Sequence, residues 1–192
     1  MKIISFIASP RKKGNTAWAV SKILEGAQEH DAKIQTFYSG DLDIKPCKGC
    51  LNCVENDFCI INDDMQKLYN AIEQADALIL GTPIYMGQMS AQAKIFTDRL
   101  FAQITPRFSP RFKEANAGKK LVLVFTQGNP DPSMFKEYFD YTKKMFQLLE
   151  FDVKAMPIIA GTRNGPAHER KELCSIMKDI GSSLANSSLN KL

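Results

Sequence analysis

The chain has 192 residues, 44% hydrophobic and 24% charged, with 25 basic against 21 acidic side chains and a formal charge of +4. That is the balance of a soluble single-domain protein, long enough to bury a core without disulfide staples. No apolar run approaches the roughly 20 residues of a membrane span, and the N-terminal MKIISFIASPRKKGNT lacks the long apolar core and small-residue cleavage site of a secretory leader. The expectation is a cytoplasmic protein whose thiols stay reduced.

Strand and helix signals then alternate along the chain. KIISFIA (2–8) is a β-branched run ending at Ser9-Pro10, and 16–29 places Trp18, Ile23 and Leu24 at helical spacing. KIQTFYS (33–39) predicts a second strand. A cysteine-rich loop follows at 45–62, and Met65, Leu68, Tyr69 and Ile72 then mark a helix over 63–76, with Asp63 or Asp64 as its cap. ALILGTP (77–83) is a third strand and 91–104 a helix, on which adjacent Asp98 and Arg99 suggest an ion pair.

The segment 105–120 mixes basic residues with Phe108 and Phe112. It reads as a surface loop or subunit contact rather than a nucleic-acid site. KLVLVFT (120–126) is a fourth strand, and 133–150 a helix with Phe135, Tyr138, Phe139, Met145 and Leu148 on its apolar side. DVKAMPIIAG (152–161) is a fifth strand weakened by Pro157, and a closing helix from Ala167 carries Leu173, Ile176, Met177 and Ile180, with Cys174 as a core thiol.

This alternation predicts an α/β fold: a flavodoxin-like, doubly wound, five-stranded parallel sheet of order 2-1-3-4-5 with helices on both faces. Ligands of such sheets sit outside the carboxyl ends of the strands, at the switch point. Three loops fall there. ASPRKKGNT (8–16) opens a helix with Ser9, Asn15 and Thr16 as donors, Arg11 as a cation and Gly14 for close backbone approach, which suits a phosphate. It is neither a Walker loop nor a dinucleotide fingerprint, and the same residues could simply cap the helix. GTPIYMG (81–87) adds Pro83, Ile84, Tyr85, Met86 and Gly87, a flat and polarizable surface. TQGN (126–129) adds Thr126, Gly128 and Asn129. One phosphate site beside ring contacts matches FMN.

SPRKKGNT, GTPIYMGQMSAQAKIFTDR and PCKGCLNCVENDFCIINDDM together resemble the NADPH-dependent FMN reductase group of the flavodoxin-like superfamily, and within it the iron–sulfur flavoproteins. The likeness runs over about residues 1–100. It implies that Ser9, Arg11, Asn15 and Thr16 hold the FMN phosphate and that residues 83–87 line the flavin. It also implies a homodimer or a dimer of dimers.

Four of the five cysteines fall in CKGCLNCVENDFC: Cys47, Cys50, Cys53 and Cys59. Zinc sites place two cysteine pairs well apart in sequence. This compact C-x2-C-x2-C-x5-C run is closer to the ferredoxin pattern and suits a [4Fe–4S] cluster. Gly49 leaves its N–H free to point at sulfur, and Lys45 and Lys48 favour thiolate. Metal-free redox thiols stay open as an alternative. Neither His30 nor His168 has a Ser or Cys partner in a hydrolytic motif.

The expectation is therefore an oxidoreductase that uses FMN and a [4Fe–4S] cluster to carry electrons from ferredoxin or NAD(P)H to a small acceptor. The alternatives are a cluster-free NAD(P)H-dependent FMN or quinone reductase, and a metal-knuckle binding module.

Overall fold

A computed structural model describes residues 1–103 and 117–186; most of the 105–120 segment lies outside them. The central strands are β1 (Lys2–Ile7) and β3 (Ala77–Tyr85). Parallel to them run β2 (Lys33–Tyr38), β5 (Lys120–Thr126), β6 (Asp152–Ala155) and β7 (Ile158–Ile159). The order is β2-β1-β3-β5-β6, with β7 beside β5 and the two-residue β4 (Gln88–Met89) antiparallel to β3.

The described residues thus contain seven strands rather than the predicted five, and the order is numbered accordingly. Two local causes account for the difference. Pro157 has no N–H for the ladder, so the run 152–161 splits around it, and the Pro157 carbonyl accepts from Phe125 N–H at 3.0 Å. The β4 hairpin turns on Met86 (φ 49°) and Gly87 (φ 81°). A two-residue loop with both φ positive is the turn that matches strand twist, but Met-Gly is not one of its usual signals.

Six helices flank the sheet among the described residues: α1 (Asn15–Gln28), α2 (Asn52–Asn56), α3 (Met65–Glu73), α4 (Ala91–Arg99), α5 (Lys136–Leu148) and α6 (Lys171–Ala185). Side chains alternate along β1, so Ile4 and Phe6 enter the core under α3, α4 and α5, while Ile3 and Ile7 enter the core under α1 and α6. The apolar stripe of α3, Met65, Leu68, Tyr69 and Ile72, is buried as its spacing demands. Phe6 stacks on Phe96 with centroids 4.3 Å apart, and Phe125 on Phe139 at 4.7 Å. In α5 and α6 the stripe sits differently from expectation. Phe146 is buried while Leu148 and Ile176 are exposed, and Cys174 is half-buried rather than a core thiol.

Ser90 fixes the start of α4. Its buried Oγ accepts Ala93 N–H at 3.2 Å and donates to the Ala8 carbonyl at 2.7 Å, tying helix to β1. Ser90→Ala strands both groups. Urea unfolding is expected to show a loss of about 2 kcal/mol.

Candidate functional site

The carboxyl ends of β1, β3 and β5 open onto one cavity of about 630 Å³. From the first loop come Ser9, Arg11, Gly14, Asn15 and Thr16; from the second, Pro83, Ile84 and Tyr85; from the third, Thr126 and Gly128. The first loop is folded by its own backbone and hydroxyl. Ser9 Oγ accepts Arg11 N–H at 3.2 Å, and Gly14 N–H donates to the Arg11 carbonyl at 3.0 Å. A Cβ on Gly14 would stand 3.0 Å from Arg11 Cβ, so the turn is tight enough to favour glycine. Thr16 Oγ1 and Thr126 Oγ1 share a buried hydrogen bond of 2.7 Å, which joins the first and third loops across the cavity floor.

Met86, Gly87 and Asn129 lie off this wall. Met86 is fully exposed at the hairpin tip, and Gly87 shares that tip. Asn129 uses its side-chain oxygen to accept Asp131 N–H at 2.8 Å, closing its own turn.

The wall also contains Lys13, Thr162, Arg163, Pro166 and His168, none of which was singled out as a ligand. Lys13 belongs to the first loop; the other four come with the loop after β7, which is laced to its neighbours. Gly161 N–H donates to the Asn129 carbonyl at 2.7 Å, and Thr162 donates to Gln127 O through both N–H and hydroxyl. Arg170 gathers the carbonyls of Ala160, Gly161 and Gly165. Asn15 Oδ1 accepts Ala167 N–H at 2.8 Å and ties this loop to α1. Gly128 makes room for it, since a Cβ there would fall 2.7 Å from Arg163 Nε. The signal was TRNGPAH directly after the last strand: the sheet-edge rule applied to a fourth loop. Arg11, Lys13 and Arg163 put three cations on the wall, with no carboxylate among its described residues.

The four cysteines ring a second, smaller pocket of about 110 Å³, with Leu51, Ile60, Ile61, Phe101 and Ala102 as its apolar wall. The loop that carries them bends through three residues of positive φ: Gly49 (63°), Leu51 (59°) and Asp57 (62°). For leucine this is a strained conformation, and it sets Cys53 on the one-turn α2. Gly49 N–H reaches Cys47 Sγ at 3.5 Å. Burial pushes the Cys53 thiol up, and the neighbouring Cys59, Cys47 and Cys50 push it the same way.

The loop is pinned at its neck by Asp63. One of its oxygens accepts Lys45 N–H at 2.9 Å, and the other accepts Met65 N–H at 3.0 Å as α3 begins. Arg99 grips the same carboxylate at 2.7 and 3.1 Å. The expected Asp98–Arg99 pair is therefore not formed. Asp98 binds Lys94 one turn earlier, because adjacent helical residues point about 100° apart and cannot face each other.

The sequence pattern of NADPH-dependent FMN reductases matches residues 1–134. The chain belongs to that family. The iron–sulfur flavoprotein of Methanosarcina thermophila is 38% identical over 99 residues, 52% of this chain and 52% of its own length. The chain thus spans about half the length of the curated relatives of that kind. Two solved folds cover nearly all of it. The NAD(P)H:quinone oxidoreductase of Methanothermobacter marburgensis has a TM-score of 0.75 at 16% identity, covering 96% of each chain. The FMN-dependent NADH-azoreductase of Bacillus anthracis, solved in complex with FMN, has a TM-score of 0.68 at 16% identity, covering 97% of this chain and all of that one. No described helix of this FMN reductase relative is long and apolar enough to cross a membrane.

The family's flavin mononucleotide is a phosphate dianion on a flat ring system, and the larger cavity suits it chemically. It offers three cations with no carboxylate among its described residues, hydroxyl donors and the half-exposed ring of Tyr85. The cysteine pocket presents a different donor set. No three His, Cys, Asp or Glu side chains among the described residues converge on a single ion position. Four thiols around one pocket match the donors of a cubane, where each sulfur takes a separate iron and no common point is needed.

Proposed function

We propose that this chain is a flavin-dependent oxidoreductase that binds FMN at the sheet edge and a [4Fe–4S] cluster in the 45–62 loop. We read residues 1–192 as a single FMN-binding domain with a cysteine-rich loop at 45–62. Carrying the reading is the meeting of three strand-end loops on one cationic cavity in a chain of the FMN reductase family. The relatives named iron–sulfur flavoproteins support the second cofactor.

Ser9, Arg11, Asn15 and Thr16 hold the phosphate, with the N–H groups opening α1 as further donors. The oxygen of Asn15 is spent on Ala167, so its amide nitrogen is the end left for an anion. Pro83, Ile84 and Tyr85 flank the ring, and Met86 and Gly87 reach it from the hairpin tip. Thr126, Gly128 and Asn129 close the third side. Cys47, Cys50, Cys53 and Cys59 ligate the cluster.

Bound together, FMN would supply two-electron chemistry and the cluster one-electron transfer. Such a pair suits electrons arriving from ferredoxin or NAD(P)H and leaving to a small acceptor. The protein's part is placement, charge balance and exclusion of water. We place it in the cytoplasm, as a homodimer or a dimer of dimers.

The deciding measurement is the absorption spectrum of anaerobically purified protein, with iron and acid-labile sulfide assays. The expected result is flavin bands over a broad shoulder that dithionite bleaches, with about four irons per chain. Cys50→Ala should keep the flavin and lose the shoulder; an unchanged shoulder would sink the ligand assignment. Flavin alone, with every thiol titratable, leaves a cluster-free NAD(P)H-dependent FMN or quinone reductase. Zinc without flavin overturns both readings.

A further inference from the structure

The strongest feature that the proposed ligand sets leave unused is a buried ion pair at the wall of the cysteine pocket. The side chains of Arg99 and Asp63 are 1% and 0% exposed. A lone buried charge is costly, so each needs the other and a set of hydrogen bonds. Arg99 has them. Nη1 donates to Asp63 and to the Lys45 carbonyl at 2.7 Å, Nη2 donates to Asp63, and Nε meets Tyr69 Oη at 3.3 Å. Tyr69 Oη in turn donates to the Arg99 carbonyl at 2.8 Å. The guanidinium lies 5.9 Å from the Tyr69 ring centroid.

Two facts make this more than a staple. First, Arg99 lines the same pocket as Cys47, Cys50, Cys53 and Cys59. The other cation on that wall, Lys48, belongs to an exposed residue. Second, Arg99 is held at both borders of the cysteine loop, through the Lys45 carbonyl before Cys47 and through Asp63 after Cys59. A guanidinium does not lose its proton in proteins, so this positive charge is constant at every pH the protein meets.

We propose that Arg99 is a positioning residue of the cysteine pocket that sets the electrostatic level of the redox group the thiols hold, with Asp63 as its counterweight. The inference rests on the cluster reading above. Four thiolates bring negative charge into a pocket with an apolar wall, and each electron added to the group brings one more. A fixed buried cation favours the more negative state, and the Asp63 carboxylate offsets part of that effect.

The two partners therefore have opposite signatures, which a purely mechanical clamp would not produce. The experiment is a dithionite titration of the reconstituted full-length protein, following the reduced cluster by electron paramagnetic resonance, with iron and sulfide counts on each sample. Dithionite supplies the single electron. Arg99→Gln should move the midpoint potential to more negative values, and Asp63→Asn to more positive values. Arg99→Lys, which keeps the charge, should restore most of the wild-type value. Shifts in the same direction, or none, in iron-replete variants would overturn the proposal. If Arg99→Gln fails to fill, Asp63→Asn decides alone: a positive shift supports, and an unchanged or negative one overturns. Wild-type protein without iron removes the cluster reading and this inference together; iron-replete wild type with unshifted variants removes only this one.

Discussion

Asp63→Ala is expected to destabilise the protein by about 3–5 kcal/mol in urea unfolding, since it abandons a buried guanidinium. The same side chain accepts the Lys45 and Met65 N–H groups, so the neck of the cysteine loop and the start of α3 loosen with it. Asp63→Asn, which keeps an acceptor, should lose less. The pH dependence has a definite sign. Burial alone would raise the Asp63 pKa, but bonds from Arg99, Lys45 and Met65 hold it below the usual carboxylate range. A depressed folded-state pKa means the contribution is complete above the unfolded value, about pH 4, and fades as pH falls through the lower folded value. Acid titration of wild type against Asp63→Asn should show this extra loss below about pH 4 in the wild type only.

Gly181→Ala carries the second large effect. Helices α1 and α6 touch backbone to backbone through two glycines. A Cβ on Gly181 would lie 1.8 Å from the Ile23 carbonyl oxygen, and one on Gly26 would lie 2.0 Å from the Lys178 carbonyl oxygen. No rotamer relieves a clash between Cβ and main chain, so the helices must separate and open the core around Ile23, Met177 and Leu184. The expected cost is about 3 kcal/mol or more, at the upper end for overpacking. Gly40→Ala is the control: nothing lies within 4 Å of its Cβ position, and its change should stay within about 0.5 kcal/mol. Thermal unfolding of the three proteins side by side separates these cases, and equal losses at Gly40 and Gly181 would refute the packing argument.

What could be read from the residues followed their spacing. Buried strands announce themselves as short aliphatic runs, and KIISFI, ALILG and KLVLVFT became β1, β3 and β5 because each is covered on both faces. The α3 stripe was equally plain. Three of the four loops around the larger cavity followed from strand order, because a parallel sheet brings all its carboxyl ends to one edge. Chain geometry also limited what spacing could say. Spacing does not say that Met86 and Gly87 stand at a hairpin tip beside the cavity wall, or that Asn129 Oδ1 closes a local turn. The loop after β7 obeys the same sheet-edge rule, with TRNGPAH directly after the fifth strand, but a strand split by Pro157 gives no spacing signal for which of its residues reach the cavity.

By itself, then, the sequence determined the alternation of strands and helices, the basic hydroxyl-rich loop after β1 and the clustering of four thiols. These are local quantities, carried by the period of burial and by residue type at fixed offsets. Only the tertiary structure decided which charges meet and which helices touch. Asp63 and Arg99 stand 36 positions apart, and Gly26 meets the α6 backbone from the far end of the chain. Such pairings depend on how elements cross in space and on which side chain is buried without another partner, and no local pattern records that. The cysteine pocket needed both: spacing collected its sulfurs, and the fold set a buried cation in its wall.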